Sequence, residues 1–317
     1  MPTSKVYFTD LRTQIGVSQL DKLEKLIRAA GIGDIDFDHK MTAIKIHFGE
    51  PGNLTYLRPN YAKRVADVIK SLGGLPFLTD CNTLYPGRRK NALEHIESAY
   101  ENGFTPYSTG CQVIIADGLK GSDDIEVPVR GGEYVKAAKI GRAIMDADIF
   151  ISLSHFKGHE MTGFGGTIKN IGMGCGSRRG KMEQHAAGKP TVSAKRCVGC
   201  RQCAKQCAQD AISYGEDRKA SIDHSKCVGC GRCIASCNFD AISAKNDSAI
   251  PDLNRKMAEY AKAVVDGRPQ FHISLVIDVS PYCDCHGEND MAILPDVGMF
   301  ASFDPVALDQ ACADACL

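Results

Sequence analysis

The 317-residue sequence predicts an α/β fold, with a mostly parallel sheet covered by helices and one small cysteine-rich domain inserted into it. Three observations predict this. Short apolar segments alternate with helix-period segments through the first half. That rhythm breaks off at 188–246 and resumes afterwards. The interruption carries one cysteine motif twice.

In chain order, KVYFTD (5–10) reads as a strand. SQLDKLEKLIRAA follows it, with Leu20, Leu23, Leu26 and Ile27 at the helical period. MTAIKIHFG, LPFLTDC, QVIIADG and DADIFISLSHF read as further strands, with the helix-like YAKRVADVIKSLGG and RKNALEHIESAYENG among them. After the interruption come a helix (DLNRKMAEYAKAVVDG), a strand (FHISLVIDVS) and the segment GMFASFDPVALDQACADACL. The chain stops at Leu317 inside an amphipathic helix begun near Asp304, without a capping signal, so an incomplete C-terminus is expected. The expected domains are 1–187 and 247–317, two parts of one α/β domain, and 188–246 inserted between them.

Composition narrows the partners. With 44% hydrophobic residues the chain can bury a substantial core. Lys plus Arg equals Asp plus Glu at 38 each, so no overall charge argues for nucleic acid or a membrane surface. The N-terminal stretch lacks the basic and apolar blocks of a signal peptide, and no apolar run approaches the roughly 18 residues of a membrane helix. Fifteen cysteines, an odd number in a long chain, point to a reducing cytoplasm, and to that of an anaerobe.

CVGCRQCAKQCAQDAIS (197–213) and CVGCGRCIASCNFDAIS (227–243) each carry C-x-x-C-x-x-C-x-x-x-C. Two-residue gaps let three thiolates of one tight loop wrap an iron–sulfur cube, and the fourth cysteine ligates the other cluster in two-cluster ferredoxins. One 4Fe–4S cluster is then expected on Cys197, Cys200, Cys203 and Cys237, and a second on Cys227, Cys230, Cys233 and Cys207. This is the bacterial-type two-4Fe–4S ferredoxin pattern. Ala208 and Asn238 stand where proline usually follows the fourth cysteine, which removes no ligand. Zinc or free thiols are the bland alternatives, and two copies of this spacing argue against both.

Several strands end in polar residues: His47 and Glu50, Asp80 and Asn82, Asp117, then Ser154, His155 and His159. Ligands of open α/β sheets bind at the carboxyl ends of strands, so a shared cleft is expected there. The glycine-rich stretch SHFKGHEMTGFGGTIKNIGMG adds Lys157 and Lys169. His159, His155 and Lys169 are the candidate catalytic residues, and Gly163, Gly165, Gly166 and His185 the candidate cofactor-binding ones. No phosphate-loop register fits, since Cys175 and Met182 occupy required positions. The bland reading is a mobile loop with solvated cations, and Lys157 in particular is expected in water. Cys283 and Cys285 read either as two free thiols or as soft metal ligands. Cys81, Cys111, Cys175, Cys312 and Cys316 read as ordinary small or buried cysteines.

The glycine stretch, the later GK with His185, VSPYCDCHGEND, PDVG and ASFDPVALD resemble the uncharacterised family catalogued as domain of unknown function 362. Members often carry an inserted two-cluster ferredoxin unit. The resemblance spans nearly the whole chain and implies a fold and clusters but no reaction. His159, Gly163, Gly166, Lys169 and His185 are also similar to the site segment of lactate racemase, with the glycine register shifted by one. That likeness implies acid/base work at His159, a tethered nickel pincer cofactor at Lys169 and nickel ligation at His185.

The function expected is an iron–sulfur oxidoreductase passing electrons through two 4Fe–4S clusters to a substrate, or to a second cofactor or metal, at the strand ends. Its partner is then a redox protein or a small molecule. The alternatives are an electron carrier or metal-binding scaffold with no substrate, and an isomerase-type site with structural clusters.

Overall fold

The structure, a computed structural model, describes residues 3–84, 87–185, 189–227, 233, 237, 239, 241–244 and 249–317. Seven strands make the central sheet: β1 (Tyr7–Thr9), β2 (Met41–Lys45), β3 (Leu75–Asp80), β4 (Gln112–Ile115), β5 (Ile149–His155), β6 (Gln270–Val276) and β7 (Gly298–Ser302). Their spatial order is β1-β7-β6-β5-β2-β3-β4. From β6 to β4 every neighbouring pair is parallel, and β7 runs antiparallel between β6 and β1. The expected mostly parallel sheet is therefore present. β7 is hidden in the sequence because all five of its residues are buried and show no alternation.

Alternation along the inner strands builds two cores. Ile149, Ile151 and Leu153 of β5, with Phe271, Ile273 and Leu275 of β6, pack under α1 (Gln19–Ala29), α2 (Pro59–Ser71) and α3 (Ala92–Glu101). Ala43 and Phe150 point the other way, into a cluster with Ile171 of α4 (Thr167–Cys175) and Tyr260 and Val264 of a later helix. Each fully buried Ile or Phe of this kind stabilises the fold by about 1.5–3 kcal/mol. Local signals set the helix ends. Ser18 and Asp21 form a capping box at α1, and Pro59 opens α2, where its missing N–H costs nothing. α5 (Arg178–His185), α6 (Ala249–Val265, the helix that carries Tyr260) and α7 (Pro305–Asp314) complete the α/β part. Among the described residues no helix is long and apolar enough to cross a membrane.

The cysteine-rich segment stands apart from this sheet. Pro190–Val192 pairs antiparallel with Ile242–Ala244, which brings the segment's two ends together, and Ile212–Tyr214 pairs with Ala220–Ile222. Cys197, Cys203, Cys233, Ala220, Ala241 and Ile242 form its own small core. The expected junctions at 187/188 and 246/247 lie outside the described residues.

One topological detail positions the site. β2 and β5 are neighbours, with β3 and β4 continuing on one side and β6 on the other. That is a switch point, where parallel sheets open a crevice at the strands' carboxyl ends.

Candidate functional site

Charged residues run into the interior at these strand ends, and each finds a partner. Lys45, fully buried at the end of β2, lies 3.0 Å from Asp80 at the end of β3 and 2.8 Å from Asn170 of α4. Arg89 donates to Glu50 at 2.7 Å and meets His47 at 2.9 Å. Asn82 donates to Asp117 at 2.9 Å, and Asn170 to Ser154 at 3.0 Å. Burial pushes the Asp80 carboxyl up, but Lys45, His95 and His47 outweigh it and hold it well below the usual range. Lys45, Asp80, Asn170 and Ser154 are thus joined to Arg89, Glu50 and His47 in one polar web, while Asn82 and Asp117 form a separate pair. Lys45 and Arg89 belong to the web, although nothing in their sequence surroundings marks them.

Beyond β6 the chain turns at Asp278, whose φ is +46°, and delivers Cys283, Asp284 and Cys285 to the crevice. A short hairpin, Lys157–His159 against Gly163–Gly165, closes on this loop through a 2.8 Å bond from Gly158 N to Ser280 O. A Cβ at Gly158 would meet Pro281 O at 2.5 Å, so this approach requires glycine. Asp284 is fully buried, 2.9 Å from His155 Nδ1 and 3.2 Å from Lys157 Nζ. Burial drives its carboxyl upward, yet these two neighbours hold it well below the ordinary range.

One expectation changes here. His155 also contacts Ile277 O through Nε2 at 2.7 Å, so both of its ring nitrogens are engaged within the protein. Lys157 is 6% exposed and paired, not solvated.

Cys283, Cys285 and His159 converge, with their donor atoms all within 4.8 Å of one another. Lys169 reaches in from α4 and donates to Cys283 Sγ at 2.9 Å. The hydrogen bond from Cys285 holds the Cys283 thiol well below its usual value. Lys169 and His159 add to that against the cost of burial. Cys285 is correspondingly raised by donating to it. Burial lowers the Lys169 ammonium, but the charges of Cys283 and Cys285 raise it by more. His159 Nδ1 accepts the N–H groups of Met161 and Thr162 at 3.0 and 3.2 Å, which leaves the proton of its neutral ring on Nε2. Burial, then Lys169, keeps this ring below the usual histidine value. His185 is brought down to about 4 by burial, with Lys169 and His159 acting on it next, which places all three within electrostatic reach of one another. At the mouth, His286 lies 3.3 Å from Glu160.

At the glycine stretch the first two amides of α4, Thr167 and Ile168, donate to Asp309 at 2.6 and 2.8 Å. A Cβ on Gly166 would sit 2.4 Å from that carboxylate. A side chain of the same protein therefore occupies the start of α4 beside Gly166, while Gly163 is exposed at the hairpin turn with a φ of +76°.

In the cysteine-rich segment, Cys197, Cys200, Cys203 and Cys237 line one cavity together with Tyr214 and Phe239. Ala220 N donates to Cys197 Sγ at 3.4 Å, Ala241 N to Cys237 Sγ at 3.3 Å, and the Tyr214 hydroxyl lies 3.2 Å from Cys203 Sγ. Soft sulfur donors supported by N–H and O–H groups around a cavity suit a thiolate-bound cluster. Cys207 takes a 3.4 Å bond from Ala211 N, Cys233 is buried and Cys227 half-buried, whereas Cys230 lies outside the described residues. Of the remaining cysteines, Cys81, Cys111, Cys175 and Cys312 are buried and Cys316 half-buried, in keeping with packing roles.

These features define an α/β protein of the open-sheet type, with a thiol-bearing site at its switch point. The chain belongs to the family described as Domain of unknown function (DUF362), whose model matches residues 42–314. Among solved structures it is similar to the lactate racemase apoprotein from Thermoanaerobacterium thermosaccharolyticum, at 11% identity and a TM-score of 0.43, over 85% of this chain and 47% of that one. It is also similar to a protein from Thermotoga maritima, at 12% identity and a TM-score of 0.43, over 98% of this chain and 60% of that one. The chain thus spans about half and three-fifths of those two proteins. No curated protein matches it.

Proposed function

We propose that the chain is an iron–sulfur oxidoreductase in which two 4Fe–4S clusters exchange electrons with a substrate or second cofactor at the strand ends. The observation that carries this reading is Cys237. It belongs to the second cysteine repeat yet lines the same cavity as Cys197, Cys200 and Cys203 of the first, the crossed arrangement of a two-cluster ferredoxin. Cys227, Cys230, Cys233 and Cys207 would hold the other cluster. When bound, each cluster supplies one-electron transfer.

The α/β part supplies proton and charge control. Lys169 stabilises negative charge at Cys283, and a ring nitrogen of His159 lies within 4.8 Å of the same sulfur. Reductions near neutral pH generally need both kinds of group. The physiological donor in this reading is a redox protein in the cytoplasm.

Protein prepared without air should contain about eight iron and eight sulfide per chain. His159→Ala and Lys169→Ala should abolish turnover, or retention of a non-cluster cofactor, with iron unchanged. Iron-free, zinc-replete protein from the same preparation would sink the reading. One alternative is an isomerase-type site with structural clusters, and in that case the clusters would never change oxidation state during turnover.

A further inference from the structure

We propose that Cys283 and Cys285 form a redox-active dithiol, so that the second redox group at the strand ends is built from the protein's own side chains. The proposal rests on the iron–sulfur reading only for the identity of its electron partner.

The geometry supports it in three ways. The two sulfurs lie within 4.8 Å of one another. Asp284 between them is pinned by His155 and Lys157, so the loop that carries both thiols is fixed. Cys283 Sγ also receives a hydrogen bond from the Lys169 ammonium at 2.9 Å. A cation at that distance favours the thiolate, the form that attacks or loses electrons.

The same three donor atoms would suit a soft metal ion, but His159 argues otherwise. A metal-bound histidine donates its second N–H to a carbonyl or carboxylate. Here Nδ1 instead faces two main-chain N–H groups, from Met161 and Thr162. The ring is thereby set to donate from Nε2, which serves a thiolate and not a cation. A bridge between cysteines only two apart also closes a small, strained ring. Such a bridge is a poor structural staple, because strained disulfides are the labile and catalytic ones.

The step balances as follows. The Cys283 thiolate and the Cys285 thiol become one disulfide. The S–H bond of Cys285 breaks, its proton leaves for solvent, and two electrons pass, one at a time, to two one-electron acceptors of the 4Fe–4S class. Reduction is the reverse. Neither direction requires a bulky reagent to reach Cys283, which is 1% exposed.

The test uses the intact anaerobic protein equilibrated with one-electron redox mediators at graded potentials, quenched in denaturant with an alkylating agent and read by peptide mass. Iron and zinc are counted in parallel. The expected result is a reversible two-electron conversion between a doubly alkylated 283–285 peptide and an unlabelled one lighter by two hydrogens. Cys283→Ser and Cys285→Ser should lose the conversion while keeping their iron. Lys169→Met removes the thiolate's ammonium partner. It should shift the dithiol–disulfide equilibrium toward disulfide by about tenfold, or about 30 mV downward for a two-electron couple. Both cysteines alkylated at every potential, or one zinc per chain that the serine variants lose, would overturn the proposal. If iron is absent but the pair still cycles, the dithiol stands and the iron–sulfur reading falls.

Discussion

Lys169 Nζ lies 2.9 Å from Cys283 Sγ, a contact between residues 114 apart that ties α4 to the loop after β6. That ammonium is one of the groups that hold the Cys283 thiol below its usual value, with Cys285, His159 and Lys157. Lys169→Met should therefore move the pH at which Cys283 becomes a thiolate upward. The midpoint potential of the Cys283–Cys285 pair against pH, whose slope changes where Cys283 loses its proton, reads this directly. An unchanged profile would mean that the ammonium does not act on the sulfur.

A second prediction concerns Cys237. Because it lines the cavity of the first repeat, Cys237→Ala should impair the cluster otherwise held by Cys197, Cys200 and Cys203. The cluster on Cys227, Cys230, Cys233 and Cys207 should survive. Spectroscopy that distinguishes the two centres would show this, and loss of the second centre instead would refute the crossed assignment.

Asp284 is the fully buried anion between His155 and Lys157. Asp284→Asn leaves the buried Lys157 ammonium with its carboxylate gone, which typically costs about 3–5 kcal/mol. Denaturant unfolding of anaerobic protein should register a loss of that size. A change within experimental error would show that the ion triad contributes nothing net.

His95 has no exposed surface, and burial pushes it down to about 3. Its folded value lies below the unfolded one of about 6.5, so its contribution is fully present above that pH and is lost as pH falls toward about 3. Stability should decline on acidification through this window, and His95→Gln should flatten the decline whatever it does to the absolute value. Parallel curves for the two proteins would exclude His95 as a source of acid lability.

The sequence showed what depends on local pattern. The inner strands and the covering helices were legible because Ile149, Ile151 and Leu153, or Leu23, Leu26 and Ile27, recur at the period of their own element. The strand-end cleft was visible in His47, Glu50, Asp80 and Asn82. Direction and distance were not visible: β7 has no alternation, and its antiparallel placement is decided by its neighbours in space. Lys157 looked like a solvent lysine because its partner Asp284 is far along the chain. The occupant of the α4 start beside Gly166 was not legible because nothing nearby announces Asp309 of α7. Cys283 and Cys285 were noticed, but the choice between thiol, metal ligand and thiolate depends on Lys169 and on which His159 nitrogen carries the proton.

Electron delivery from the iron–sulfur unit to the strand-end thiols is the central claim. Low-temperature electron paramagnetic resonance tests it most directly, on anaerobic protein whose Cys283–Cys285 pair is first oxidised and which then receives substoichiometric dithionite. The expected result is a reduced-cluster signal that decays as both thiols appear in the 283–285 peptide, and that persists in Cys283→Ser. A signal equally persistent in the wild type, with its disulfide still intact, would contradict the account.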